Sequence, residues 1–374
     1  MRVLYWTELF RPYIGGVEMM ASRYLPAMQA RGYELCVVTS HGSLELPDEA
    51  EYDRIAVHRF RFQTALEPGR GDELAAELQR VASLKRAFRP DLVHLNFSDP
   101  SVFFHLRTAR AWAAPLLVAL RVAPPSSASG SPDTLVGKML RSASWVTANS
   151  EAILSDARRL VAEITPRSSV VYNGLPLPPL PPSLLPFDPP RLLCLGRLVA
   201  DKGFDLAVSA FALLAARFPA ARLVIAGDGP ARAALARQAA ELGVAARVDL
   251  PGWIAPDDVP ALMNTATVVI MPSRWREAFG VVALQAAQMA RPVVATRVGG
   301  LPEVVAHETT GMLVEKEDRV ALANAIAYLL DHSHTAEQMG RAGRERAMSL
   351  FSFAQHVDAY DSLYRAMTKE TAQC

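Results

Sequence analysis

Short apolar runs alternate along the whole chain with longer stretches whose apolar positions recur every three to four residues. In the first half, residues 3–6, 35–39, 92–95, 116–120, 145–148 and 170–172 read as strands. Residues 16–31, 71–88, 99–112 and 150–162 read as helices. The second half restarts the pattern, with strands expected at 192–195, 223–226, 247–250, 267–271 and 292–295. Helices are expected there over 203–217 and from 280 to 290, and the tail at 351–369 is helix-like. Strands alternating with helices imply an α/β fold, a parallel sheet covered by helices on both faces. Ligands of such sheets bind beyond the carboxyl ends of the strands. Chemistry is therefore expected just after strands.

Residues 176–190, P-L-P-P-L-P-P-S-L-L-P-F-D-P-P, interrupt the alternation with eight prolines in fifteen positions. Such a run forms neither a helix nor a central strand, and a semi-rigid extended spacer is the physical expectation. It divides the chain into an N-terminal domain, 1–175, the linker 176–190, a C-terminal domain, 191–350, and a terminal helix, 351–374, that crosses back to the first domain.

Composition narrows the picture. At 374 residues, 51% of them apolar, the chain can bury two cores of ordinary size. Lys plus Arg is 39 and Asp plus Glu is 38, so no global field draws in nucleic acid. Cys36, Cys194 and Cys374 have no metal or C-x-x-C spacing, which favours a reducing, cytoplasmic setting. The opening M-R-V-L-Y-W-T-E lacks a signal-peptide pattern. No apolar run approaches the roughly 20 residues that span a bilayer, and peripheral membrane contact stays open.

Several strand ends carry candidate chemistry. After the first strand, Gly15 and Gly16 open a helix, where backbone can approach a ligand and free N–H groups face it. The G-x-G-x-x-G dinucleotide fingerprint is absent there, which weakens a dehydrogenase reading. After the third strand-and-helix repeat, His94, Asn96, Ser98, Asp99 and His105 are candidates to line a cleft. The Pro/Ser/Gly loop 121–133 reads as a lid or as a surface loop. In the second half, G-R-L-V-A-D-K-G at 196–203 sets Arg197 and Lys202 on either side of a turn before a helix start, a plausible diphosphate clamp. G-D-G-P at 227–230 has Arg232 where a third glycine would stand, so it is a turn rather than a dinucleotide loop. P-S-R-W-R-E-A-F-G at 272–280 places Glu277 where a strand hands over to a helix. Each piece alone also has an ordinary explanation: a turn, two surface cations, a solvated acid.

Taken in order, these pieces resemble the retaining glycosyltransferases of family GT4. The set is G-G-V-E at 15–18, N-G at 173–174, the 196–203 and 227–230 loops, the 272–280 loop, and G-G-L-P-E at 299–303. The resemblance implies the GT-B fold, two Rossmann-like doubly wound domains facing a central cleft, with the donor held mostly by the second. It implies transfer of a hexosyl group from a nucleotide-diphosphate sugar to the hydroxyl of a small-molecule, glycan or lipid-linked acceptor, with retention and without a metal or other cofactor. By the same resemblance Gly16, with Gly15, meets the donor diphosphate. Arg197 and Lys202 bind it and stabilise it as a leaving group. Glu277 matches the first acid of an E-x7-E motif and faces the donor sugar. Phe279, Gly280 and Val281 match the loop and helix start touching sugar and phosphate, and the region of Gly252 and Trp253 resembles the base pocket.

Two positions depart from the family pattern. Gln285 stands where the second acid of E-x7-E binds the ribose hydroxyls; an amide oxygen accepts such bonds without the added strength of a charge. Arg121 stands where many members carry a histidine near donor sugar and acceptor. With His94 and Asn96 it forms the acceptor-side candidate set. An anion-binding Arg121 would fit a phosphorylase or sugar-phosphate synthase on the same fold, and the departures together would fit a catalytically weak binding subunit.

Overall fold

The computed structural model describes residues 1–96, 99–122 and 133–371. Ser98, Cys374 and most of the expected lid, 123–132, lie outside the described residues. The chain divides into two compact units: residues 1–172 together with the segment from 354 onward, and residues 173–353.

Among the described residues, the first unit holds an eight-stranded sheet. Its strands are β1 (Arg2–Trp6), β2 (Glu34–Ser40), β3 (Glu49–Tyr52), β4 (Ile55–Phe60), β5 (Leu92–Asn96), β6 (Leu116–Leu120), β7 (Trp145–Ala148) and β8 (Ser168–Val170). Their order is β3-β4-β2-β1-β5-β6-β7-β8, and all neighbours are parallel except β3 with β4. Strands such as V-L-Y-W in β1 and L-L-V-A-L in β6 are buried on both faces, which is why they read as unbroken apolar runs. The β3–β4 hairpin was not expected from the pattern, and β8 ends two residues earlier than the expected 170–172.

The second unit holds β9 (Arg191–Leu195), β10 (Arg222–Ala226), β11 (Val248–Gly252), β12 (Val268–Met271), β13 (Val293–Thr296) and β14 (Gly311–Val314). All are parallel, in the order β11-β10-β9-β12-β13-β14. Leu192, Cys194, Leu223, Ile225, Val268 and Val294 from the sheet pack with Phe211, Ile326 and Leu329 from flanking helices in one core.

The Pro-rich segment is not a free spacer. It belongs to the second unit, and Leu185 joins that unit's core. The Ser183 N–H donates to Asn264 Oδ1 at 3.0 Å, and Asn264 Nδ2 donates to Pro181 O at 2.9 Å. The fully buried Arg291 donates to Ala266 O at 3.0 Å and Leu184 O at 3.4 Å. Proline carbonyls lack competing ladder partners, so side-chain donors capture them and tie the segment down.

From Ala354 onward the helix Phe353–Thr371 packs within the first unit. Tyr24 Oη donates to Tyr364 Oη at 2.8 Å, Tyr33 Oη donates to Asp361 Oδ1 at 2.6 Å, and His356 Nδ1 lies 2.7 Å from Tyr172 O. Burial holds His94 and His105 well below the usual imidazole range and lowers His356 to about 3; Arg121 beside His94 and His356, and Lys85 beside His105, add to the effect. Unfolded imidazoles titrate near 6.5. Stability from these neutral histidines is therefore complete above about pH 6.5 and declines as pH falls below it. We expect the melting temperature to drop by at least ~5 °C between about pH 7.5 and about pH 5. Calorimetric scans at the two pH values check it, and a flat profile would contradict these protonation states.

Candidate active site

The second sheet changes direction between β9 and β12: β10 and β11 extend one way, β13 and β14 the other. At such a switch point the loops leaving neighbouring strands diverge and open a crevice at their carboxyl ends. The loop after β9 carries Arg197 and Lys202, the loop after β12 carries Ser273 to Gly280, and the loop after β13 carries Gly299 and Gly300.

These loops are fastened to one another. A Cβ on Gly203 would lie 2.0 Å from Pro272 O, so the turn holding Lys202 rests directly on the β12 loop. Asp201 O accepts from the N–H of Arg274 at 2.9 Å and of Trp275 at 3.2 Å. Lys202 Nζ donates to Glu277 Oε1, and Ser273 Oγ donates to the same oxygen at 2.9 Å. Thr296 Oγ1 donates to Ser273 O at 2.7 Å. The Gly300 N–H donates to Glu277 O at 2.8 Å. Arg197 is exposed, and no side-chain hydrogen bond or ion pair engages it among the described residues. Its backbone is braced by the 227–230 loop, where Leu198 N–H donates to Asp228 O at 2.8 Å. The result is a cation held in place by a carboxylate, with a second, unengaged cation at the carboxyl end of the same strand, β9.

The β12 loop leads into the helix Val281–Gln288 through Gly280. Phe279 anchors this entry: its ring is buried and packs edge-on against Phe351 at 5.4 Å. The first amides of a helix lack intrahelical acceptors and attract anions or hydroxyls. Gln285 is half-buried one turn further on, and its side chain makes no hydrogen bond among the described residues. Gly252 closes β11 and accepts from Gly227 N–H at 2.7 Å; the neighbouring Trp253 is 58% exposed. Arg232 Nη2 donates to Leu250 O at 2.6 Å beside it.

In the first unit, Gly15 caps the helix Gly16–Ala30 in extended conformation. The acceptor-side candidates fare differently from expectation. His94 is fully buried, with Nδ1 2.5 Å from Tyr364 Oη. Asn96 is buried too, donating from Nδ2 to Trp6 O at 2.9 Å. Arg121 donates from Nε to Asn96 Oδ1 at 3.1 Å and from Nη2 to Tyr360 Oη at 3.2 Å, its guanidinium over the Tyr360 ring. His94 and Asn96 are thus buried in packing contacts, and Arg121 bonds both Asn96 and Tyr360 of the terminal helix.

The pattern missed Ser273, Arg274 and Asp205. Ser273 sits inside the P-S-R-W motif and was within reach of it. Arg274 and Asp205 form a bidentate pair, with Nη2 2.7 Å from Asp205 Oδ2, between positions 69 residues apart that no local signal joins. The pairing pulls the Asp205 carboxyl below its usual range and raises Arg274. Among the described residues no group of three or more His, Cys, Asp or Glu gathers as a metal site, and no helix is long and apolar enough to cross a membrane.

The profile of the Glycosyl transferases group 1 family matches residues 181–346, and that of the Glycosyl transferase 4-like domain matches residues 15–174. The chain belongs to the GT4 family of glycosyltransferases. The GDP-mannose-dependent alpha-(1-6)-phosphatidylinositol monomannoside mannosyltransferase of Mycobacterium tuberculosis is 40% identical over 162 residues, which is 42% of this chain and 42% of that one. Less than half the length of this relative is therefore matched. Sucrose-phosphate synthase from Thermosynechococcus elongatus superposes with a TM-score of 0.85 over 99% of both chains at 24% identity. The Anabaena HepE protein in complex with UDP and glucose superposes with a TM-score of 0.79 over 98% of this chain and 100% of that one, at 21% identity. The two parallel-sheet units of this GT4 chain are those of the GT-B fold.

Proposed function

We propose that this GT4 protein is a retaining glycosyltransferase. It moves a hexosyl group from a nucleotide-diphosphate sugar to an acceptor hydroxyl. The observation that carries the reading is the Lys202–Glu277 ion pair, which joins the loops after the two strands of the switch point, with Arg197 on the same loop as Lys202. A diphosphate departs with growing negative charge, and cations already in position stabilise that charge where it develops. Glu277 takes up one donor of the Lys202 ammonium, and Ser273 Oγ donates to the same carboxylate oxygen. An ammonium has three donors, so others remain for phosphate oxygens. Glu277 then stands beside the donor sugar, Phe279, Gly280 and Val281 present the helix start to sugar and phosphate, and Gly252 and Trp253 border the base. Retention through front-side attack lets a phosphate oxygen take the acceptor proton, so neither a protein base nor a metal is required. Names of the relatives, one GDP-mannose-dependent and one complexed with UDP and glucose, support a hexose donor. The buried free thiols of Cys36 and Cys194 suit a reducing compartment, and the reading is of a cytoplasmic enzyme.

The test is nucleotide release from UDP-glucose and from GDP-mannose, with NMR of the product anomeric proton. Turnover with retained configuration supports the reading; absence of release with both donors and of nucleotide binding points to the binding-subunit alternative that Gln285 and Arg121 together motivated.

Gln285 gives a graded check. The reading has its unengaged amide accept a bond from a ribose hydroxyl. Gln285→Glu should tighten nucleoside-diphosphate binding by about 1 kcal/mol, roughly fivefold, because a charged acceptor strengthens the bond. The nearby diphosphate limits the gain. Gln285→Ala should weaken binding. Transfer at saturating donor should change less than affinity, since ribose contacts are nearly equal in ground and transition states. Calorimetry on the three proteins decides; equal affinities would mean that Gln285 does not hold the ribose.

A further inference from the structure

Trp275 is 62% exposed, although tryptophan is usually a strongly buried residue. Its indole makes no hydrogen bond or ring contact among the described residues. Yet the segment that carries it is tied to its neighbours by several bonds. The Trp275 N–H donates to Asp201 O at 3.2 Å, one residue before Lys202. Its predecessor Arg274 uses its whole guanidinium as a clamp. Nε donates to Glu317 Oε1 at 2.6 Å, Nη1 to Asp205 Oδ1 at 2.5 Å and to Ala200 O at 3.2 Å, and Nη2 to Asp205 Oδ2 at 2.7 Å. The Arg274 N–H adds a bond to Asp201 O at 2.9 Å. One residue thus joins the turn of Lys202, the first turn of the helix Phe204–Leu214 and the loop before the helix Arg319–Asp331. Two residues after Trp275 comes Glu277.

An exposed aromatic ring on a loose loop is a side chain awaiting nothing in particular. An exposed ring on a restrained backbone, two residues before the carboxylate of a site, has only its side-chain torsions left to order when a ligand lies on it. The ligand class follows from the ring. An indole offers a flat, negative-faced surface, and the chemistry it suits is the partly positive C–H face of a pyranose. We propose that Trp275 is a stacking platform for a sugar ring at this site, and that Arg274 is the positioning residue that holds it out. The proposal rests on the glycosyltransferase reading and adds to it the residue that selects the sugar rather than the nucleotide. The ring it meets belongs to the donor sugar or to a sugar acceptor, and the test separates the two.

Wild type, Trp275→Ala, Trp275→Phe and Arg274→Gln would be titrated by calorimetry with UDP, UDP-glucose, GDP and GDP-mannose. A second arm would measure KM for methyl α-mannoside as acceptor probe with the donor that wild type turns over. Stacking on the donor predicts that Trp275→Ala loses roughly tenfold in affinity for the nucleotide sugar while affinity for the nucleoside diphosphate is kept. Stacking on the acceptor predicts the same loss in acceptor KM instead, with kcat changed less. Trp275→Phe should restore most of the loss, which a merely structural role would not require. Arg274→Gln should reproduce the Trp275→Ala pattern, and the double variant should be no worse than either single, because the two act as one unit. Wild-type behaviour of Trp275→Ala in both arms overturns the platform with the enzyme reading intact. An Arg274→Gln protein that melts earlier but keeps its sugar affinity overturns the positioning role. If wild type binds no nucleotide or nucleotide sugar at all, the reading beneath the proposal fails and the platform falls with it.

Discussion

Arg197→Ala and Lys202→Ala should each lower sugar transfer at saturating donor by at least ~100-fold, the scale of removing one prepositioned charge-stabilising donor. Folding should be nearly untouched. Arg197 is exposed and makes no side-chain bond that folding would lose. Lys202 is partly exposed, and its loss leaves Glu277 bonded to Ser273 Oγ at 2.9 Å. Surface charge replacements of this kind cost under ~0.5 kcal/mol. The two variants should differ in one respect. Arg197→Ala removes a cation alone, whereas Lys202→Ala also releases Glu277 from its ion pair. A carboxylate freed beside a diphosphate repels it, so Lys202→Ala should weaken nucleoside-diphosphate binding more than Arg197→Ala does. Initial rates with UDP-glucose or GDP-mannose, calorimetry with UDP or GDP, and thermal melts check all three statements. Near-wild-type turnover in both variants would remove these residues from the chemistry.

The parts of the fold that the sequence disclosed are those where burial writes directly into composition. Strands such as β6 and β12 are buried on both faces and read as plain apolar runs. The hairpin of β3 and β4 is different. E-A-E-Y alternates weakly, and its turn residues Asp53 and Arg54 both take positive φ, 53° and 64°, without the Asn-Gly signature that marks such turns. The site followed the same division. Arg197, Lys202 and Glu277 were legible because each lies a few residues beyond a strand end. The Arg274 clamp was not, since its partners come from a turn, a helix start and a loop far from it in sequence. His94 stayed open between a packing and a cleft-lining role for a reason of direction. A histidine in a strand that runs into a polar stretch looks the same whether it faces solvent or a helix. Only Tyr364, 270 residues away, decides the matter.

Gly299→Ala should be among the most damaging single-methyl changes near the site. Gly299 has φ of +54°, a left-handed conformation that costs an alanine ~1–2 kcal/mol. The added Cβ would also stand 2.0 Å from Glu277 O. That atom is backbone, already fixed by the Gly300 N–H at 2.8 Å, so relief requires moving the loop that bears Glu277. Overpacking of this kind adds ~1–3 kcal/mol. The combined penalty of roughly 2–5 kcal/mol should lower the melting temperature by about 5–15 °C. It should also slow transfer at least ~10-fold in the fraction that stays folded, because small misplacements of a reacting group are costly. Gly243→Ala is the control. Gly243 lies in the same unit with φ of +70° and nothing within 4 Å of the added Cβ, so it shares the backbone strain but not the collision. If strain alone mattered, the two variants would melt alike and both would keep full turnover. If the contact with Glu277 matters, only Gly299→Ala loses turnover. That difference reads out how tightly the G-G-L-P-E loop sets the position of the acid.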